Sequence, residues 1–300
     1  MRRRNWIIYI VMVLCTGLMI TGCGTKVRSF KSQDKILVVT TIYPVYDFVS
    51  NIAGERAEII NLVPAGTEPH DFELSTGDMQ LLEEADLFIY NGAGMEHFVD
   101  KTLNAVSNKE LIAVEAAGTV KTLESGEKTD PHTWLSVQNA ISESEVIKDT
   151  FIQIDAEHKE IYEKNFEDYK DRLETLDETY KEELSGLSRN TIVVAHEAFG
   201  YLCAAYGLKQ NAVEGLTAES EPDSAKMKEI IDFCREEDIQ VIFFEELVSP
   251  KVANAIAEEI GAETMVLNPI EGLTASQEEE GLDYISLMEE NLEALKKALK

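Results

Sequence analysis

Short apolar, β-branched runs alternate along the chain with longer segments whose apolar positions recur every three or four residues. The first pattern fits strands and the second fits amphipathic helices. Residues 36–42, 58–63, 87–90 and 111–114 read as four strands. Helical patterns separate them: one opened by Tyr43-Pro44, one over 76–85 and one from about Met95. Proline is tolerated in the first turn of a helix, so Pro44 does not oppose the first of these. Strands alternating with helices of this size predict βαβ units and a parallel sheet.

Between about residues 137 and 187 the strand signal disappears, and no proline occurs between Pro131 and Pro222. Ile161, Phe166, Tyr169, Leu173, Leu176, Tyr180, Leu184 and Leu187 recur mostly at spacings of three and four, which makes one apolar stripe on a long helix. Spanning 156–186, that helix would be roughly 45 Å long. The strand–helix rhythm then returns, with strands at 191–195, 211–216, 241–245 and 264–268. The predicted fold is α/β: two lobes, each with a mostly parallel four-stranded sheet flanked by helices, joined by one long backbone helix. The expected divisions are an N-terminal lobe at 36–155, the linking helix at 156–187 and a C-terminal lobe at 188–300.

The first 22 residues are of another kind. Arg2, Arg3 and Arg4 precede an apolar run of 15 residues, Trp6 to Ile20. That is short for a membrane span, which needs roughly 20 residues, and suits the core of a signal peptide. The run ends in Ile20-Thr21-Gly22-Cys23, which resembles a bacterial lipobox. The resemblance implies cleavage before Cys23, lipid on its sulfur, and a polar tether over 23–35. The body would then be extracytoplasmic and anchored to the bacterial cell membrane by lipid.

Composition narrows the function. An apolar fraction of 44% supports a globular body. With 56 acidic and 27 basic residues the net charge is -29, which argues against a nucleic-acid partner. Of four cysteines, Cys15 lies in the leader and Cys23 at the lipid position, while Cys203 and Cys234 sit in apolar helical patterns. The chain has no CxxC pair, so nothing points to a thiolate zinc site or a redox centre.

Three of the five histidines carry the chemistry. His70 follows the second strand, His132 follows the fourth, and His196 caps the strand at 191–195. Ligands of open parallel sheets bind outside the carboxyl ends of the strands, so a position between the lobes could use all three. Three imidazoles plus a carboxylate suit tetrahedral Zn²⁺. Glu271, after the last strand, is the best-placed carboxylate, with Glu245 and Glu246 as rivals. His158, among Glu157, Lys159 and Glu160, reads as surface, and His97 reads as packing at a helix start.

At these residues the chain resembles the zinc/manganese solute-binding lipoproteins of bacterial ABC uptake transporters, the TroA-like or cluster A-I class. The matching segments are Gly66-Thr67-Glu68-Pro69-His70-Asp71-Phe72, Asp130-Pro131-His132-Thr133-Trp134-Leu135, Val194-Ala195-His196-Glu197-Ala198-Phe199-Gly200-Tyr201 and Asn268-Pro269-Ile270-Glu271-Gly272-Leu273, with Ala85 to Gly92 fitting as well. The resemblance runs from about Lys35 to Leu299. It implies two α/β lobes joined by one long helix, metal between them, and His70, His132, His196 and Glu271 as ligands. A histidine at position 196, where manganese-binding relatives place a carboxylate, is similar to the zinc branch and favours Zn²⁺ over Mn²⁺. The histidine-rich acidic loop of many zinc members is missing, because 123–130 is short and has no histidine.

The implied function is capture of Zn²⁺ by a monomeric, non-enzymatic protein and delivery to a membrane permease. The loaded set of three imidazoles and one carboxylate would carry a net charge of about +1, and binding should weaken below about pH 6.5. Asp71 and Glu197 are the candidates to orient the ligand rings. The alternatives are a manganese-binding member of the same family, an adhesin, and a secreted zinc hydrolase. His196-Glu197 suggests the last, but HExxH needs a second histidine where this chain has Gly200.

Overall fold

Residues 34–217 and 222–300 are described by the computed structural model; the leader, Cys23 and nearly all of the tether lie outside them. Strands β1 (Ile36–Thr40), β2 (Ala57–Asn61), β3 (Leu87–Tyr90) and β4 (Ile112–Glu115) form a parallel sheet in the order β2-β1-β3-β4. Helices α1 (Tyr43–Ala53), α2 (Thr76–Glu84) and α3 (Val99–Ala105) make the crossovers. The central strand β1, Ile-Leu-Val-Val-Thr, is buried after its first residue, as a strand covered on both faces must be. Helix α1 begins with Pro44 in its first turn, and α2 is started by a reciprocal Ser75–Asp78 capping box.

A two-residue antiparallel ladder, β5 (Glu124–Ser125) with β6 (Lys128–Thr129), precedes the helical region. Helix α4 (Val137–Ile154) and helix α5 (Lys159–Leu184) pair there, separated by one 3-10 turn at Ala156–His158. With 26 residues, α5 is about 39 Å long rather than 45. Its buried stripe is Tyr162, Phe166, Tyr169, Leu173, Leu176, Tyr180 and Leu184. Ile161, expected on the stripe, is 41% exposed; the spacing of four to Phe166 places Tyr162 inward instead.

The second sheet repeats the first. Strands β7 (Thr191–Val194), β8 (Lys209–Ala212), β9 (Val241–Phe244) and β10 (Glu263–Val266) run parallel in the order β10-β9-β7-β8. They are flanked by α6 (Gly200–Tyr206), α7 (Ser224–Glu236), α8 (Lys251–Ile260), α9 (Ala275–Glu280) and α10 (Tyr284–Leu299). Strand β8 starts earlier than expected and ends at Ala212, which leaves Val213 to Leu216 as a loop beside the end of β7.

One apolar core runs through both sheets and α5, from Val38 and Phe48 through Trp134 and Leu173 to Phe243 and Tyr284. Tyrosine hydroxyls stitch it: Tyr169 donates to Asp47 (2.8 Å), Tyr180 to the Met288 carbonyl (2.5 Å) and Tyr284 to the Trp134 carbonyl (2.6 Å). Burial raises the Asp47 carboxyl to about 6 even though the Tyr169 bond favours its charge. Cys203 and Cys234 are buried free thiols in separate apolar clusters, pushed by burial up to about 12 and about 11. Among the described residues no helix is long and apolar enough to cross a membrane.

Leu173→Ala, at a fully buried stripe position, is expected to cost about 3 kcal/mol of unfolding free energy. Ile161→Ala should change it by less than about 0.5 kcal/mol. Urea unfolding of the two variants checks the inward face of α5.

Candidate metal centre

His70, His196 and Glu271 lie in loops after strands of the two parallel sheets, but a 3-10 turn and a small ladder separate His132 from β4. His70 sits in a 3-10 turn (Pro69–Asp71) after β2; Glu68 starts that turn, accepting from the His70 backbone N–H at 3.2 Å. His132 follows the β5–β6 ladder. His196 is two residues beyond β7, and Glu271 lies in the loop after β10. Donor atoms of His70, His132, His196 and Glu271 all lie within 4.8 Å of one another, and all four residues are buried.

Glu271 Oε1 is 2.9 Å from His132 Nε2, 3.5 Å from His70 Nε2 and 3.8 Å from His196 Nδ1, and the first two nitrogens are 3.4 Å apart. Four donors at 2.0–2.1 Å from one ion would stand roughly 3.4 Å from each other, so the set has the span of a tetrahedral zinc shell.

The outer nitrogens decide which lone pairs face inward. His132 Nδ1 is 2.8 Å from Asp130 Oδ1, and His196 Nε2 is 2.9 Å from the Leu216 carbonyl oxygen. Both partners are pure acceptors, so these nitrogens carry the protons. His132 Nε2 and His196 Nδ1 are then left to offer lone pairs towards Glu271. Neither Glu271 oxygen accepts a hydrogen bond of good geometry. Lone pairs facing lone pairs in a buried pocket repel unless a cation or a proton stands between them.

Protonation behaviour follows the same logic. Burial alone would lower the imidazoles, but Glu245 and Glu271 outweigh it and carry His196 up to about 10. Burial likewise opposes the charged form of His132, and Asp130 with Glu271 raises it. Burial would lift the Glu271 carboxyl, yet His132 and His70 hold it well below the usual carboxylate range. Burial, together with Glu271 and Glu245, pushes Glu68 up to about 8.

Neighbouring segments hold the loops. Asn91 donates to the Pro131 carbonyl (2.9 Å) and accepts from Thr133 (3.3 Å), bracketing His132. Glu96 in turn accepts from the backbone N–H of Asn91 and from Thr41. The Glu271 loop is tied to the first sheet's side by Tyr43 N–H to the Glu271 carbonyl (3.1 Å) and by Trp134 Nε1 to the Pro269 carbonyl (2.7 Å). Ile270 has φ +59°, costly for a β-branched residue, and its N–H is fixed by Asn268 Oδ1 (2.7 Å).

Several expectations change. Asp71 is exposed, and Glu197 accepts from Ser125 instead of His196, so neither orients a ligand ring. Asp130 and the Leu216 carbonyl do that work. The first stands two residues before His132 in a motif already singled out, whereas the carbonyl left no trace in the sequence. Glu245 does not join the four donors, but its oxygens lie 3.2 and 3.3 Å from His196 Nδ1. Glu246 turns away to Gln277 and Asn268. His158 is half-buried and paired with Asp155 (2.8 Å), and His97 is exposed with its ring against Phe98. At Gly200, where HExxH would have its second histidine, a Cβ would come within 2.5 Å of Asp130 Oδ2. Glycine there lets the start of α6 approach the residue that orients His132.

Two α/β lobes closing a buried three-histidine, one-carboxylate set between them define a solute-binding protein of the metal-uptake type. The chain belongs to the family described as zinc-uptake complex component A, periplasmic (ZnuA), whose pattern matches residues 38–298. That family is a solute-binding component of transport rather than an enzyme. The chain is 35% identical to the high-affinity zinc uptake system protein ZnuA of Bacillus subtilis (strain 168), over 99% of this chain and 98% of that protein. It is 37% identical to the zinc-binding lipoprotein AdcA of Streptococcus pneumoniae over 94% of this chain but only 59% of that longer protein. The solved Zn(II)-bound ZnuA-like domain of AdcA superposes with a TM-score of 0.80 at 40% identity, covering 88% of this chain and 99% of that domain.

Two outcomes are expected. His196→Ala should weaken zinc binding by orders of magnitude in competition titration, and His158→Ala should leave it unchanged. The second concerns pH. A raised imidazole pKa means that the metal-free protein holds a proton which the ion must displace, so affinity grows with pH until that group is bare. With His196 carried to about 10, affinity should keep rising from pH 7 to 8.5 instead of levelling off above the ordinary imidazole range. Zinc competition and proton release in weak buffer measure this.

Proposed function

We propose that this chain captures Zn²⁺ with His70, His132, His196 and Glu271 and delivers it to the membrane permease of an ABC-type transporter. The observation that carries the reading is the set of imidazole nitrogens turned towards a buried carboxylate that accepts no hydrogen bond of good geometry. Two of those nitrogens are directed there by the Asp130 and Leu216 acceptors on the far sides of their rings. Nitrogen-rich donors favour zinc over manganese, which prefers oxygen. Zinc is cargo in this reading, so no bond is made or broken, and all four donor positions are filled by side chains with none left for a reactive water.

The mature body acts as a monomer, tethered outside the cell through lipid on Cys23 and the polar stretch to residue 35. Its lobes are 36–155 and 188–300, and 156–187 links them. The zinc-binding lipoproteins among its relatives and the lipobox-like ending of the leader support that placement. The loaded form differs from the empty one by a modest shift of loops across the seam, and the permease reads that difference.

Protein purified without added metal should contain about one zinc per chain by elemental analysis. Competition titration should rank Zn²⁺ above Mn²⁺ by at least about tenfold. Manganese in the purified protein, or equal affinities, would count against the zinc reading.

A further inference from the structure

The four donors are nearly sealed: His70 is 9% exposed, His196 2%, Glu271 1% and His132 0%. An ion therefore needs a way in. On the second lobe's side of Glu271 lies a cavity of about 10 Å³, lined by Glu245, Glu246, Asn268, Glu271, Thr274 and Gln277 with Leu247 at its wall. That volume holds about one water-sized particle. The lining offers oxygen from three carboxylates and a hydroxyl, while the amides of Asn268 and Gln277 turn their nitrogens to Glu246; it contains no lysine, arginine or histidine.

The buried carboxylates here are only partly satisfied by protein. Glu245 is 3% exposed. His196 Nδ1 lies 3.3 Å from its Oε2 and 3.2 Å from its Oε1, and Oε1 accepts no hydrogen bond of good geometry. Both oxygens of Glu271 are equally without a partner of good geometry. Buried carboxylates in this condition call for a cation or a proton. Glu246, by contrast, is exposed at the mouth, where Gln277 Nε2 (2.5 Å) and Asn268 Nδ2 (3.3 Å) fix its Oε2. The carboxylates thus form a series from water to the donor set: Glu246 outside, Glu245 beside His196, and Glu271 shared with the histidines.

We propose that this cavity is a transfer position for a divalent cation. It holds the ion on oxygen donors between solvent and the three-histidine set. The inference rests on the zinc reading above. An oxygen shell binds a borderline ion such as Zn²⁺ less tightly than a shell with three imidazoles, so the ion passes through instead of stopping. Each hydration water can be replaced by a carboxylate oxygen before the nitrogens take over. Glu245, touching both the cavity and His196, makes the last exchange.

A residue on the path changes the rates of arrival and departure together and leaves their ratio alone. Stopped-flow zinc binding and chelator-driven release should therefore both slow about tenfold in Glu246→Gln, with the equilibrium affinity within about threefold of wild type. Leu247→Ala, which opens the wall at a partly exposed position, should speed both. It keeps the test alive if Glu246→Gln folds poorly by near-UV circular dichroism. Wild-type rates in both variants would overturn the proposal. Slower arrival with unchanged release would overturn it too, because Glu246 would then only steer by charge. Slowing by Glu68→Gln in place of Glu246→Gln would put the passage on the His70 side and have the same effect. If the wild-type protein binds no zinc at all, the parent reading fails, a separate result seen before any rate is compared.

Discussion

Everything in this molecule that bears on metal depends on one electrostatic constraint: Glu271 faces imidazole lone pairs in a place water barely reaches. Asp130 and the Leu216 carbonyl force the tautomers of His132 and His196 by taking the outer proton of each ring. The inner nitrogens are then bare, and the buried carboxylate beside them lacks a donor of good geometry. A cation between them would resolve the repulsion. In its absence protons do, which is why His196 and His132 are raised although burial alone would lower them.

The fold exists to hold those lone pairs in register. Both sheets place their strands in the same order, second-first-third-fourth, so each has a switch point between its first and third strands, where ligand crevices form. In the second sheet that point lies between β7 and β9, and the residues just beyond them include His196 and Glu245, which explains why these touch. In the first sheet the corresponding position is filled by Glu96, bonded to Thr41 and Asn91 from the ends of β1 and β3. Its crevice is thereby closed off and used to brace the His132 loop. A shared apolar core and the bonds from Tyr43 and Trp134 to the Glu271 loop keep the two halves from drifting apart.

Much of this was legible in the sequence because it depends on periodicity. Strands such as 87–90 and the long stripe of α5 announce themselves through spacing, and the three histidines stood out by following strands. Position 161 was misread because adjacent apolar residues at 161 and 162 fit a stripe almost equally well, and only packing separates them. Strand β8 was misplaced because Lys209-Gln210-Asn211-Ala212 is polar and partly exposed at a sheet edge, while the apolar Val213 and Leu216 beyond it belong to a loop. The ring-orienting groups were illegible for a deeper reason. A backbone carbonyl such as that of Leu216 has no residue signature, and Glu197, adjacent to His196 in the chain, points elsewhere.

Charge accounting changes once Glu245 is placed. Three neutral imidazoles and Glu271 alone would leave a bound dication with one uncompensated positive charge, an expensive object to bury at a lobe seam. Glu245 lies 3.2 Å from His196 Nδ1, is 3% exposed, and has no lysine or arginine bonded to it among the described residues. Counted with Glu271, it would bring a zinc-loaded centre to neutrality without joining the four proposed donors. The same carboxylate that raises His196 in the empty protein thus lowers the cost of the ion in the full one. In the zinc reading, metal and proton would compete for a single arrangement of charge at the seam.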